Sequence, residues 1–221
     1  MKPLIVALTG ASGAAYGIRV VQALAEQGHS VAVVISEAAR LVLREELENC
    51  PSGFSRPQDI EAIFGPVVHG KIEVYSPKDF TAPIASGSYP CAGMVIVPCS
   101  MGTLGALAAG LSQNLIHRAA DCVIKEGRRL VIVPRETPLH AIHLENMLKL
   151  ARLGVRIVPA MPGFYSGAKT LPDIIDFMAG KVLDQFDIPH GLYPRWVGPA
   201  VNLKNSRPEA SIPVKGKEAY S

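Results

Sequence analysis

Thr9-Gly10-Ala11-Ser12-Gly13-Ala14-Ala15-Tyr16-Gly17 follows the apolar run Leu4-Ile5-Val6-Ala7-Leu8. Beyond it, Ile18, Val21 and Leu24/Ala25 fall on one helical face. The order is strand, small-residue turn, helix. The first N–H groups of a helix lack intrahelical partners and carry the positive end of its dipole. Small residues let an anion approach the backbone. The turn therefore reads in two ways: a cradle for a phosphate-bearing ligand at residues 10–13, or a tight connection with no ligand. The turn alone does not separate them.

Outward from this turn, the alternation continues. The first strand, about residues 3–8, is almost wholly apolar, as a central parallel strand covered on both faces must be. A helix over 12–27 ends at Gly28, and a second buried strand covers 31–35. Ser36 is a good N-cap for a helix over 37–47. Residues 50–70 break the rhythm with Pro51, Gly53, Pro57, Gly65, Pro66 and Gly70, leaving room for one short helix near 60–64. Residues 72–75 alternate like an edge strand. Further buried strands are expected at 94–98, 130–134 and 155–159. Helices are expected at 104–110, from 112 or 114 to 126, at 141–153 and at 171–186. The small residues of 104–110 imply close packing against a neighbouring helix or chain.

This pattern predicts one α/β domain, a doubly wound parallel sheet of Rossmann or flavodoxin-like type in three layers. Residues 1–198 form the domain, and 199–221 a flexible or partner-wrapping tail. Ligands in such sheets bind at the carboxyl ends of the strands. The exits to inspect are Gly10–Gly13, Ser36, Ser100–Thr103, Arg135–Glu136 and Gly163–Tyr165.

Composition narrows the classes. The 221 residues are 48% apolar and 19% charged, which fits a packed domain. A net charge of +3, scattered along the chain, gives no footprint for nucleic acid. Cys50, Cys91, Cys99 and Cys122 are far apart with no CxxC pair, so neither a disulfide framework nor a zinc site is expected. No apolar stretch is long enough for a membrane span or shaped like a signal peptide. The chain is expected to be soluble and cytoplasmic.

The motifs favour a mononucleotide. A dinucleotide site wants G-x-G-x-x-G and an acid ending the second strand. Here the spacing is Gly10, Gly13, Gly17, and Ser36 holds the acid's place with Glu37 beside it, which weakens the dinucleotide reading without removing it. No G-x-x-x-x-G-K-[ST] occurs. Arg135 follows a buried strand, where a guanidinium can fork onto a phosphate; an exposed pair with Glu136 is the plain alternative. Arg118, Lys125 and Lys181 read singly as solvated helix charges. Tyr165 reads as core packing and Cys99 as a small buried residue. His140, His143 and Glu145 read as capping and packing rather than a metal grip.

Thr9–Gly13, Ile35-Ser36, Ala85-Ser86-Gly87-Ser88, Pro98-Cys99-Ser100-Met101-Gly102-Thr103, Asn114–Asp121, Pro134-Arg135-Glu136-Thr137-Pro138-Leu139, His143–Met147 and Pro162–Tyr165 together resemble the UbiX-type flavin prenyltransferases, in order and spacing, over about residues 3–196. The resemblance implies a Rossmann-like homo-oligomer, usually a dodecamer, with interfacial sites. It implies transfer of a dimethylallyl group from dimethylallyl monophosphate to N5 and C6 of reduced FMN. The prenylated FMN then serves a partner decarboxylase, in ubiquinone synthesis or phenolic-acid breakdown. No metal is implied. By residue match, FMN falls to Gly10, Ala11, Ser12, Ser36, Ser100, Met101, Gly102, Thr103 and Arg135. Tyr165 and Lys181 fall to the dimethylallyl phosphate, with Arg118, Lys125, Arg135 and Glu136 around its phosphate. Ser12 is matched to the flavin N5 region, and Glu46 to a further catalytic place reached from a neighbouring subunit. Two departures stand out: Phe80 where family members often carry Trp, and Lys181 where some carry Arg.

Two rivals follow. A flavin-dependent cysteine decarboxylase wants a His in the first helix and a Pro-x-Met-Asn loop, and neither is present. A non-catalytic flavin-binding subunit of an aromatic-acid decarboxylase has no need of Lys125, Glu136 and Lys181.

Overall fold

In the computed structural model, the described residues are 2–48, 50–51, 53–54, 56–196 and 198. The tail expected over 199–221 lies outside them. Six parallel strands form one sheet: β1 (Leu4–Leu8), β2 (Val31–Ile35), β3 (Ile72–Tyr75), β4 (Gly93–Cys99), β5 (Arg129–Pro134) and β6 (Arg156–Ile157). Seven α-helices are described: α1 (Ala14–Glu26), α2 (Glu37–Glu46), α3 (Pro57–Phe64), α4 (Met101–Ala108), α5 (Leu115–Lys125), α6 (Ala141–Arg152) and α7 (Leu171–Asp184). The sheet order is β3-β2-β1-β4-β5-β6. That is the Rossmann order, and its direction reverses between β1 and β4.

The alternation of β1 sorts the core into two layers. Leu4, Val6 and Leu8 pack with α1 and α7 residues such as Val20, Leu24, Phe177 and Val182. Ile5 and Ala7 pack with Leu104, Leu115, Ile116 and Ala119 of α4 and α5. The whole of β1, β2 and β4 is buried, which is why these strands read as unbroken apolar runs.

Helix starts follow their caps. Ser36 Oγ accepts from Ala39 N, Ser100 Oγ from Thr103 N and Asn114 Oδ1 from His117 N. His140 caps α6 by accepting from His143 N, and the two rings stack, so capping and packing describe this pair. Gly13 takes φ 98°, a left-handed conformation that lets the chain turn sharply into α1.

Several boundaries differ from the sequence reading. The last strand is two half-buried residues at the sheet edge, not a buried run over 155–159. α3 begins at Pro57, earlier than expected, because Arg56 and Asp59 cap it reciprocally. α4 spans 101–108 and its small residues pack against α6 of the same chain.

Candidate active site

The sheet's hydrogen-bond ladder continues past the strand ends and draws four exits together. Ser36 N donates to Leu8 O at 3.0 Å, Thr9 N to Pro98 O at 3.2 Å and Arg135 N to Cys99 O at 3.3 Å. Buried Thr9 adds a lock: its Oγ1 donates to Pro98 O at 2.8 Å and accepts from Ser100 N at 2.8 Å. Arg135 Nε then donates to Ser12 O at 3.1 Å. Gly10–Ser12, Ser36, Ser100–Thr103 and Arg135 thus meet at the carboxyl ends of β1, β2, β4 and β5. This is the switch point, where ligands of doubly wound sheets bind.

The turn that opens α1 differs from the phosphate cradle considered above. Glu46, from the end of α2 in the same chain, lays its carboxylate on it. Gly13 N donates to Glu46 Oε1 at 3.0 Å, and Ala14 N to Oε2 at 2.8 Å. The positive end of α1 is therefore met by an internal anion. Glu46 makes this contact from within its own chain. Ser12 remains exposed beside this contact.

The α4 start is open instead. A Cβ built at Gly102 meets nothing within 4 Å. Free space beside the α4 N-terminus, with the Ser36, Ser100 and Thr103 hydroxyls and the Arg135 guanidinium around it, fits a phosphorylated flavin.

The remaining expected residues form separate patches. Arg118 Nε donates to Ala85 O at 2.9 Å and its Nη1 pairs with Asp121 at 3.1 Å. Lys125 Nζ donates to Glu126 Oε1 at 2.6 Å beside Gly87. That contact raises the Lys125 pKa, so the amine is fully charged at neutral pH. Lys125 ends α5, about 10 Å along the helix from Arg118 at 1.5 Å per residue. Glu136 is exposed, and its Oε1 accepts from Thr137 N. Tyr165 stands edge-on to Phe177 and Trp196. Lys181 lies one turn beyond Phe177 on α7, 4.0 Å from Asp184. Among the described residues, no hydrogen bond or ion pair joins Arg118, Lys125, Tyr165 or Lys181 to the switch-point group.

Cys99 is fully buried and its thiol is pushed up to about 12 by burial, which makes it no nucleophile. Thr9 was within reach of sequence reading only as part of the turn. Its role as a bolt between β1 and β4 needs the topology.

The chain matches the Flavoprotein family model over residues 1–183. It is 55% identical over 191 residues to the flavin prenyltransferase UbiX of Halalkalibacterium halodurans, covering 86% of this chain and 91% of that one. The chain belongs to the UbiX-type flavin prenyltransferase family. Another member of this family, from Pseudomonas aeruginosa, is 45% identical over 196 residues, covering 87% of this chain and 93% of the relative. Among solved structures, AnUbiX (PadA1) in complex with FMN and dimethylallyl pyrophosphate aligns with a TM-score of 0.79 at 40% identity, covering 89% of this chain and 98% of that one. A dodecameric FMN-dependent UbiX-like decarboxylase from Escherichia coli O157:H7 aligns at 0.78 and 42% identity, covering 89% of this chain and all of that one. A PPC decarboxylase mutant is only 15% identical at a TM-score of 0.60, covering 84% of this chain and 98% of that one, a likeness of fold alone. Among the described residues, no helix is long and apolar enough to cross a membrane.

Proposed function

We propose that this UbiX-type chain is a flavin prenyltransferase that moves a dimethylallyl group from dimethylallyl monophosphate to reduced FMN. The observation that carries this is the switch-point group, in which Arg135 reaches Ser12 across hydroxyl-bearing strand exits. Reduced flavin, when bound, supplies the nucleophilic N5 and C6 that accept the five-carbon group. In the transfer the donor's C–O bond breaks, its electron pair leaves with the phosphate oxygen, and inorganic phosphate is released.

The chain's residues have distinct tasks in this reading. Ser36, Ser100, Thr103 and Arg135 hold the flavin phosphate and ribityl chain, and Gly10, Ala11, Met101 and Gly102 give the backbone room. Ser12 orients the N5 region and relays a proton, with Glu46 fixing its turn. Arg118, Lys125, Arg135 and Lys181 supply positive charge where the leaving phosphate gathers negative charge. Glu136 steadies those cations, and Tyr165 helps keep water from the allylic cation.

These residues lie in three patches of one chain, so the working site forms where copies meet. Exposed Ile142, Leu144, Leu148 and Leu153 on and after α6 support assembly. We propose a homo-oligomer, a dodecamer as in the Escherichia coli relative, acting in the cytoplasm and passing its product to a decarboxylase. Residues 1–198 are the flavin-binding unit of this proposal.

The test is anaerobic. The protein is incubated with reduced FMN and dimethylallyl monophosphate, and the flavin mass is read. A five-carbon increase with release of phosphate is expected. Bound FMN without that increase sinks the proposal. A parallel arm with dimethylallyl pyrophosphate separates the two donors.

A further inference from the structure

Beyond α7 the chain turns back on itself. Asp187 takes φ 57°, and the following segment runs over α7 again. One carboxylate gathers it. Asp184, in the last turn of α7, accepts from Tyr193 OH at 2.5 Å and meets His190 Nε2 at 3.1 Å and Arg195 Nη2 at 2.6 Å. The His190 side chain is 1% exposed, so this is a packed tie and not a surface pairing. Burial alone would raise the Asp184 pKa, but the bonds from Arg195, Tyr193 and His190 hold it at about 2. The rings of His190 and Tyr193 lie on Gly180. A Cβ there would stand 2.6 Å from His190 Cε1 and from Tyr193 Cδ1 and Cε1, closer than carbon atoms pack. Carboxylate and glycine, one turn apart on α7, fit the same returning segment.

The next residue is Trp196. Its ring stands 6.0 Å from that of Tyr165, edge to face, and the two line an apolar cavity of about 350 Å³. We infer that Asp184, with Gly180, is a positioning device that straps residues 188–195 onto α7 and so sets Trp196 opposite Tyr165 as a wall for the donor's five-carbon chain. This rests on the proposed function, which gives Tyr165 to the donor. Asp184 touches neither donor nor flavin in this reading. It acts through Trp196; its longer contact with Lys181, at 4.0 Å, is altered by Asp184→Asn but not by Tyr193→Phe or Gly180→Ala, which therefore isolate the strap. The observations converge from three directions: the three partners that the returning segment gives one carboxylate, the missing side chain at Gly180, and the apolar cavity the strap completes.

Trp196 is the only tryptophan in the chain, so its emission reports this segment alone. In the full-length protein, Asp184→Asn and Gly180→Ala are compared with the parent by time-resolved anisotropy. The fast-depolarising fraction of Trp196 is expected to at least double in both. The KM for dimethylallyl monophosphate is expected to rise about tenfold in both, with FMN affinity and kcat held within about threefold. Asp184→Glu, which keeps the carboxylate, should recover part of the loss in KM. Tyr193→Phe removes one hydrogen bond with little risk to folding and should move both readings in the same direction by less. Unchanged anisotropy in Asp184→Asn and Tyr193→Phe overturns the strap. Changed anisotropy with an unmoved KM overturns the donor wall. If the parent protein makes no adduct, the functional reading and the donor role fall together, while the anisotropy still decides whether Asp184 places Trp196.

Discussion

Arg135 and Ser12 are 123 residues apart, yet Arg135 Nε donates to the Ser12 carbonyl at 3.1 Å. The bond fastens the exit of β5 to the turn after β1, over the exit of β4 that lies between them. It fixes one edge of the guanidinium and leaves its other N–H groups to a ligand. Arg135→Ala removes both the fastening and a charge-assisted contact of about 1.5–3 kcal/mol. FMN affinity should fall about 10- to 100-fold by fluorescence titration. Arg135→Lys should recover little of it, because an ammonium cannot serve carbonyl and phosphate with one planar fork. Equal FMN affinity in Arg135→Ala would take Arg135 out of the flavin site.

Thr9 bears on the same group from beneath. Its hydroxyl donates to Pro98 O and accepts from Ser100 N, and it is 1% exposed. Thr9→Val keeps the shape and strips both bonds, leaving Ser100 N unpaired while Pro98 O keeps only its bond from Thr9 N. The expected cost is about 2 kcal/mol, read as a lower urea midpoint. FMN affinity should fall as well, because the Ser100 turn is then no longer held at β1.

The fold was legible because each element announced itself locally. Leu4–Leu8 and Val31–Ile35 are continuous apolar runs, and Ser36 and Asn114 are caps in sequence as in structure. β6 departs from the expected run because Val155–Pro159 has strand composition, but at the open edge only Arg156 and Ile157 hold strand register with β5, beyond which Val158 N and Ala160 N still donate to Ile132 O and Pro134 O. The site was legible as a set of strand exits, since topology places every exit of a parallel sheet on one rim. The contact of Glu46 with the α1 start was not, because nothing near it in sequence shows that α2 ends beside that turn. The Asp184 tie escaped for the same reason: Tyr193, His190 and Arg195 look like members of a loose tail until the chain is seen to fold back.

Glu46 makes a prediction of its own. Its carboxylate fills the place at the α1 start that a phosphate could take. Glu46→Gln keeps the size and loses the charge at the helix dipole, and should cost about 1 kcal/mol in chemical denaturation. Adduct formation should slow because Ser12 stands on the same turn. Glu46→Ala should also gain a phosphate-dependent rise in thermal midpoint that the parent lacks, measured without flavin. No such rise would mean that the turn does not offer an anion site even when vacated.

Asp184 gives a pH dependence with a definite sign. Its folded pKa, about 2, lies below the ordinary 3.8, because three donors outweigh the cost of burial. A depressed carboxyl contributes stability that is complete above the unfolded value and is lost as pH falls through the folded one. The window is therefore about pH 4 down to 2, and the contribution at neutral pH is about 2 kcal/mol at 1.36 kcal/mol per unit. Asp184→Asn should be less stable than the parent at pH 7 by an amount of that order. The gap should narrow steadily below pH 4. A gap that stays constant from pH 7 to 2 would assign the loss to packing and not to the charge.

Lys125 offers the sharpest test of a site shared between copies. In one chain it ends α5 beside Gly87 and Glu126, while Ser12 sits at the carboxyl end of β1. Parallel strands and antiparallel crossover helices put those positions toward opposite ends of the sheet. In the proposed reading Lys125 is a cation at the leaving phosphate, so Lys125→Ala should leave FMN binding intact and slow adduct formation by at least a hundredfold. Glu136→Gln should behave likewise with a smaller effect, and release of FMN from either variant would put both residues in the flavin site instead. The decisive experiment mixes two inactive proteins. Lys125→Ala and Ser12→Ala subunits are unfolded together and reassembled as hybrids. If Lys125 of one copy completes the Ser12 turn of another, about a quarter of the sites regain both residues and activity returns to about that level. If the two act within one chain, every site lacks one or the other and the hybrids stay inactive.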